Sequence, residues 1–228
     1  HCKIVIRVRR VIACTYKPAP SFTSRPTVSH CSQEIFRLPE NVTFDEAAML
    51  EPLAVAVHAC RRAEIEVGES VLVQGAGSVG TLCMMTIVIT DLEQRKLDVA
   101  KTVGADHTSV EDVKRSVINC LKCEPDVTIE CTGAQSCLES SISVTGRIVM
   151  VGLGHPRVEV PLINCCLREV DIRGSFRFAN EYPTSLNLLA SKKVDISRFT
   201  SAHYKLEQVA EALQRTQKGD VVKVFVQC

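Results

Sequence analysis

The sequence contains no uninterrupted apolar run of about 18 residues, the length at which a stretch indicates a membrane-spanning helix. We therefore expect no contact with a membrane. It also lacks an excess of one charge, because 27 Lys and Arg are balanced by 26 Asp and Glu. That balance argues against a protein devoted to binding nucleic acid. Internal repeats and low-complexity tracts are absent too, which favours an ordinary globular protein.

Cysteine, by contrast, is abundant, with 12 residues. A zinc site of the paired-cysteine type would need two C-x-x-C pairs, and only Cys120 and Cys123 form one. The chain is also far longer than the small secreted domains that disulfides hold together. We therefore expect reduced, mostly buried thiols and a cytoplasmic protein.

The first 33 residues differ from the rest in composition. They carry six Lys and Arg and no acid, whereas the remainder is net acidic. Alternation of Ile4, Ile6 and Val8 with polar or smaller residues suggests an opening strand. A transit peptide is an alternative for this segment. Nucleic-acid binding is another, although Tyr16 and Phe22 are its only aromatic residues.

From residue 38 onward, apolar strands alternate with helical patterns. Asp45 is the expected N-cap of a helix that runs to about Ala63, and Pro52 should break or kink it. Strands are expected within SVLVQGAG, IVITD, ADHTSV, DVTIECTG, GRIVMVGLG and REVDIRGSF, and helices within residues 92–104, 113–121 and 137–144. Gly104 should end the first of these helices. Near-continuously apolar strands separated by helices indicate an α/β protein with a doubly wound parallel sheet.

A glycine fingerprint follows the first of these strands. Gly75 allows a tight turn, Gly77 allows the backbone to approach a pyrophosphate, and Gly80 allows a helix to pack closely on the sheet. Asp91 ends the next strand, where a carboxylate binds both ribose hydroxyls and repels a 2′-phosphate. The pattern therefore predicts a Rossmann site for NAD rather than NADP.

The crossover between these two strands is short. Returning along a five-residue strand needs about eleven helical residues, whereas residues 81–86 supply six, or ten if the helix begins at Gly77. Asp91 follows Gly80 by eleven residues instead of the usual spacing of about 20. We therefore expect a strained or shortened second strand and a weak nucleotide site.

Seven segments carry a resemblance to a known family: LPENVTFDEAAMLEPLAVAVHACRR, VLVQGAGSVG, ITDLEQRKLDVAKTVGAD, VTIECTGA, IVMVGLG, PLINCCLREVDIRGSFRF and LEQVAEAL. From Leu38 to Cys228 the chain resembles the sorbitol (L-iditol 2-) dehydrogenases, which are zinc-dependent medium-chain dehydrogenases. The resemblance implies oxidation of a polyol to a ketose with NAD, a zinc ion and a homotetramer. It also implies the remnant of a second, mainly β catalytic domain.

The resemblance divides the chain into four parts. Residues 1–37 form the basic segment without a recognised fold, and residues 38–66 form a linker and a helix from the catalytic domain. Residues 67–176 form the NAD-binding Rossmann domain. Residues 177–228 return to the catalytic domain as helices within 181–194 and 203–219, the second ended by Gly219, and a strand within 221–228.

The resemblance also assigns site residues. Glu51 is expected beside the zinc and the polyol, and Arg177 and Phe178 are expected to face the substrate, with Phe178 in place of a Tyr. Lys96 stands where the family has Arg, and Arg95 is the alternative. The residues expected to bind the cofactor are Gly75, Gly77, Val79, Gly80, Asp91, Arg95, Lys96, Val151, Gly152, Leu153, Ser175, Phe176 and Arg177.

The chain departs from the family in two ways. Short segments are missing after Met85 and between Thr145 and Gly146. The N-terminal catalytic half is missing or unrecognisable, so the zinc ligands are unknown. His30 with Cys31, or His1 with Cys2, could be nominated as ligands, but their spacing does not support this. We therefore expect a weak or inactive polyol dehydrogenase, with a non-catalytic NAD-binding or assembly module as the alternative.

Overall fold

The protein is described by a computed structural model that covers residues 5–8, 11–14, 35–83, 87–90, 94–102, 104–105, 107–109, 113–199 and 201–227. Six strands form its largest sheet: β4 (Val71–Gln74), β5 (Ile87–Thr90), β6 (His107–Ser109), β7 (Val127–Glu130), β8 (Arg147–Met150) and β9 (Asp171–Gly174). Every pairing in this sheet is parallel, and the strand order is β6-β5-β4-β7-β8-β9.

The described residues also form helices α1 (Phe44–Ala48), α2 (Leu50–Ala63), α3 (Ser78–Cys83), α4 (Gln94–Thr102), α5 (Val113–Leu121), α6 (Gln135–Val144), α7 (Leu162–Leu167), α8 (Tyr182–Ala190) and α9 (Val209–Lys218). Strands β4 and β7 at the sheet centre are buried along their whole length. Helices therefore cover both faces, and the predicted doubly wound α/β fold is confirmed.

Alternate residues of β4 build the core on opposite faces of the sheet. Val73 belongs to the apolar cluster that includes Ala59 of α2, whereas Leu72 packs with Val117 of α5 and Val144 of α6. Strand side chains alternate between faces with a period of two, so a continuously apolar strand supplies both cores at once.

The second strand of the short crossover is as long as the first, so the shortened strand that we gave as one of two expectations is not seen. Strand β5 has four residues, like β4, and pairs with β4 over all of them, from Val71 opposite Ile87 to Gln74 opposite Thr90. The six residues of α3 rise about 9 Å, and three more can span up to about 10 Å. Together they exceed the roughly 13 Å length of a four-residue strand. The number of crossover residues that we estimated from a five-residue strand is therefore larger than a four-residue strand needs.

The predicted helix before β4 is present, but its first turn differs. Thr43, not Asp45, is the N-cap: Glu46 N donates to Thr43 Oγ1 at 3.2 Å, and Thr43 N donates to Glu46 Oε2 at 2.7 Å. This reciprocal pair is a capping box. The chain then breaks at Met49 between α1 and α2, which places Pro52 in the first turn of α2, where proline is tolerated.

Glycines end two helices as predicted. Gly104 has φ +119°, and beside it Ala105 N donates to Ala100 O at 3.1 Å in a Schellman-type arrangement. Gly219 ends α9 in the left-handed conformation, with φ +65°.

Two smaller sheets lie outside the parallel sheet. Strands β1 (Val5–Val8), β2 (Val11–Cys14) and β3 (Ile35–Arg37) pair antiparallel, and β10 (Ser201–Lys205) pairs parallel with β11 (Lys223–Gln227). The helix expected from His203 therefore begins later, because His203 lies in β10 opposite Phe225 and stacks on its ring at 4.9 Å. The division of the chain into four parts remains a prediction.

Candidate functional site

The candidate site lies at the carboxyl ends of β4 and β7. The chain runs outward from β4 to β5 and β6 on one side, and from β7 to β8 and β9 on the other. The strand order therefore reverses between β4 and β7. In open α/β sheets, the crevice at such a switch point binds ligands, and each half of the sheet receives one mononucleotide of a dinucleotide.

The loop between β4 and α3 has the shape that the glycine pattern predicts. Gly75 is buried with φ +95°, and a Cβ there would lie 2.8 Å from Thr132 Cγ2. A Cβ at Gly80 would overlap the Gly75 carbonyl oxygen, so α3 starts directly against the loop. Gly77 is exposed, and a Cβ there would meet nothing within 4 Å. The loop is therefore tight and packed at both ends, but its middle is open to a ligand.

A buried carboxylate organises the turn after β7. Glu130 is 0% exposed. Its Oε1 accepts Thr132 N at 2.7 Å and the Thr132 hydroxyl, and its Oε2 accepts Gly133 N at 3.0 Å. Its main-chain oxygen accepts Val151 N and Gly152 N, each at 2.9 Å. One residue thus joins the loops that follow β7 and β8.

The sequence itself contains a signal for Glu130. It is an acid inside the apolar strand segment DVTIECTG, and acids are almost never fully buried without partners. Glu130 therefore belongs to the site although the sequence reasoning missed it.

The loops after β7 and β8 touch through their backbones. A Cβ at Gly133 would lie 2.8 Å from Gly154 Cα, and a Cβ at Gly152 would lie 2.6 Å from Thr132 C. The predicted cofactor residues Val151 and Gly152 are half-buried beside this contact, whereas Leu153 is 75% exposed at its rim.

The loop after β9 contains an unpaired polar atom and a strained backbone. Ser175 is 8% exposed, and its Oγ has no hydrogen-bond partner among the described residues. Arg177 and Asn180 are non-glycine residues in the left-handed region, with φ +57° and +60°. The Arg177 guanidinium lies 5.2 Å from the centre of the Phe176 ring. Strained conformations concentrate at functional sites, and a buried orphan hydroxyl is available to a ligand.

The predicted substrate-side residues lie on neighbouring elements. Glu51 lies half-buried in the first turn of α2. Phe178 is also half-buried, and the centre of its ring lies 4.9 Å from the centre of the Tyr182 ring in an edge-to-face arrangement. Helices α2 and α8 are joined by buried Glu181, which lies 2.7 Å from Arg61 Nη1 and 3.5 Å from His58 Nδ1. This ion pair holds the loop after β9 against α2.

The predicted adenosine side is only partly described. Arg95 and Lys96 lie on α4 and, together with the turn of residues 219–222, line a cavity of about 290 Å³. Asp91 lies outside the described residues, so its distance from Gly77 remains untested.

The described residues do not fit a metal ion. No group of three or more His, Cys, Asp or Glu in that part of the chain could hold one. His1, Cys2, His30 and Cys31 lie outside it. In the same part of the chain, no helix is both long and apolar enough to cross a membrane.

Three free thiols meet where α2, α3 and β7 pack together. Hydrogen bonding with Cys131 and Cys60 raises the pKa of the buried Cys83 thiol, whereas the bond from Cys83 lowers that of Cys60. The same hydrogen bonding therefore moves the pKa values of neighbouring thiols in opposite directions.

Comparisons with known proteins agree with this geometry. The Zinc-binding dehydrogenase family profile matches residues 70–191. Sorbitol dehydrogenase from Gallus gallus is 39% identical over 216 residues, which cover 87% of this chain and 61% of that protein. The structure of L-idonate 5-dehydrogenase from Escherichia coli matches with a TM-score of 0.77 at 30% identity, covering 85% of this chain and 60% of that one.

A second solved structure supports the fold alone. It is a short chain alcohol dehydrogenase from Escherichia coli complexed with NADH, which matches with a TM-score of 0.76 at 21% identity and covers 85% of this chain and 62% of that one. This chain therefore spans less than two thirds of the length of each of these proteins.

Proposed function

The chain belongs to the zinc-binding dehydrogenase family, and from that membership we propose that it is an oxidoreductase that transfers a hydride from a secondary alcohol of a polyol to NAD. Sorbitol and L-iditol are the proposed substrates, and a ketose is the product. The likeness to sorbitol dehydrogenase supports this choice of substrate. The free thiols of the described residues fit a reducing compartment, so the cytoplasm remains our predicted location.

The observation that carries the proposal is the shape of the loop after β4. Gly75 and Gly80 are locked against their neighbours, whereas the space in front of Gly77 is open. A pyrophosphate needs such an opening, because it must approach the backbone at the start of a helix. The orphan hydroxyl of Ser175 offers a second contact on the nicotinamide side.

The proposed roles follow the two halves of the sheet. Gly75, Gly77, Val79 and Gly80 would hold the pyrophosphate side, and the adenosine would lie against Asp91, Arg95 and Lys96. The nicotinamide side would be held by residues 151–153 and 175–177. When bound, NAD accepts the hydride. Within this arrangement Glu51 would orient the polyol, and Arg177 and Phe178 would face it.

We expect this chain to bind NAD weakly and to oxidise little or no sorbitol. Helix α3, which would hold the pyrophosphate at its start, has only six residues, and the described residues offer no cluster of metal ligands. A sorbitol-dependent NADH signal at the rate of an ordinary dehydrogenase would contradict this expectation. NAD binding without turnover, with bound zinc absent by elemental analysis, would instead support the non-catalytic alternative, whereas stoichiometric zinc would count against it.

Two matched glycine variants test the cofactor site. Gly77→Ala places a methyl group in the open space, so NAD affinity should fall about tenfold or more while the fold stays intact. Gly146→Ala is the control, because a Cβ there also meets nothing within 4 Å but lies at the amino end of β8. Calorimetric titration measures both. Equal NAD affinity in the two variants would refute the assignment, and equal affinity for NADP would refute the role of Asp91.

We also propose that copies of the chain associate through β9 and α7. Strand β9 ends the six-stranded sheet, and Leu162, Ile163 and Leu167 of α7 are 63%, 71% and 79% exposed. A strand edge that pairs with no other described strand, beside an apolar patch, favours association with another chain. Light scattering should show an oligomer that Ile163→Lys dissociates, and an unchanged mass would refute this surface.

A further inference from the structure

The Glu130 carboxylate is a buried anion without a cationic partner in the described part of the chain. Its oxygens accept hydrogen bonds from Thr132 N, the Thr132 hydroxyl and Gly133 N, and it forms no ion pair with any described Lys, Arg or His. Every contact is therefore with a neutral group, and none neutralises its charge.

The backbone contacts of the carboxylate are all with hydrogen-bond donors. Both backbone partners are N–H groups, which can only donate, and Gly133 N donates to both carboxylate oxygens, at 3.1 and 3.0 Å. The Glu130 side chain is thus held by hydrogen bonds rather than by a counter-ion among the described residues.

Its position places this charge in the half of the sheet that would receive the nicotinamide. Strand β7 begins that half, and Glu130 is its last residue. The carboxylate holds the turn that follows β7, and Thr132 of that turn is exposed. The field of a buried charge is screened less than that of a surface charge.

The oxidised nicotinamide ring carries a positive charge, and the reduced ring is neutral. We infer that the uncompensated Glu130 carboxylate makes the cleft selective for the oxidised cofactor over the reduced one. This inference rests on the proposed NAD site and deepens it. It gives the site a bias toward alcohol oxidation, because the carboxylate attracts the positively charged oxidised ring but not the neutral reduced ring.

Glu130→Gln tests the inference, because it removes the charge and keeps the shape. NAD⁺ and NADH are titrated separately into the full chain, and the ratio of their dissociation constants is compared with that of the parent. We expect the preference for NAD⁺ to fall by about five- to tenfold. A loss of scaffolding alone would weaken both ligands equally and leave the ratio unchanged, which would overturn the inference.

Two further variants separate charge from structure. Thr132→Val removes one donor but keeps the carboxylate, so both affinities should fall together with the ratio unchanged. A shifted ratio in this variant would overturn the inference even if Glu130→Gln fails to fold. Glu139→Gln is the control for net charge, because Glu139 is exposed on α6 and should not alter the ratio. If the parent binds neither cofactor, the proposed function fails too, whereas binding with an unaltered ratio refutes this inference alone.

Discussion

Replacing Gly80 with Ala should destabilise the protein, although alanine is the better helix former. A Cβ at this position would overlap the Gly75 carbonyl oxygen and lie 3.1 Å from Gly75 C and 3.3 Å from Val73 Cγ1. Neither neighbour can move easily, because Gly75 lies in a tight buried turn and Val73 is 0% exposed in β4. The new methyl group must therefore push α3 away from the sheet.

Two opposing terms set the size of this effect. Alanine gains about 1 kcal/mol over glycine in a helix, and overpacking a buried site costs about 1–3 kcal/mol or more. Because the obstacle is backbone, the cost should lie at the upper end, which leaves a net loss of about 1–2 kcal/mol. In a chain of this size that lowers the melting temperature by about 2–8 °C.

Urea unfolding followed by circular dichroism measures the difference. Gly77→Ala is the matched control, because it lies next to α3 but meets nothing within 4 Å. Its free energy of unfolding should stay within about 0.5 kcal/mol of the parent. If Gly80→Ala is as stable as the parent or more so, helix propensity outweighs the contact, and the close packing of α3 on Gly75 is refuted.

Three further predictions follow from single contacts. Ser175→Ala removes a buried hydroxyl that has no partner among the described residues, so stability to urea should be unchanged or higher. Calorimetry should show about tenfold weaker NAD binding. Unchanged binding would place Ser175 outside the site. Thr43→Ala breaks the capping box of α1 and should cost about 1 kcal/mol in thermal unfolding, which Thr43→Ser should largely restore. The hydrogen bond from Ser70 N lowers the pKa of Asp126 below its ordinary value of 3.8, so the contribution of this carboxylate to stability is present above that pH and is lost as the pH falls through the lowered pKa. Asp126→Asn should therefore reduce the fall of the melting temperature with pH in this acid range, and an unchanged slope would contradict this role.

Local sequence signals predicted the parallel sheet well. Apolar strands flanked by helices, such as those ending at Gln74 and Glu130, are buried on both faces, so their composition alone reveals their place. Gly104 and Gly219 likewise end their helices because their positive φ is a local property. Signals that depend on distant partners failed. His203 was expected in a helix, but pairing with β11 draws it into a strand.

The candidate site was predicted unevenly for the same reason. The glycine pattern specifies a turn from its own residues, and the loop after β4 has that shape. The part of Glu130 in joining the loops after β7 and β8 depends on the amides of Val151 and Gly152, which reach its main-chain oxygen only when these strands are side by side. The orphan hydroxyl of Ser175 depends on folding as well, because burial alone separates it from water.

The contact between Gly133, Gly152 and Gly154 limits how this cleft can change. Side chains at any of the three would collide with main chain, so single substitutions there cannot refine ligand preference without moving a whole loop. Exposed neighbours such as Leu153 and His155 can be substituted without this collision. Mutational libraries aimed at new cofactors or substrates should therefore keep the three glycines fixed and diversify the residues around them.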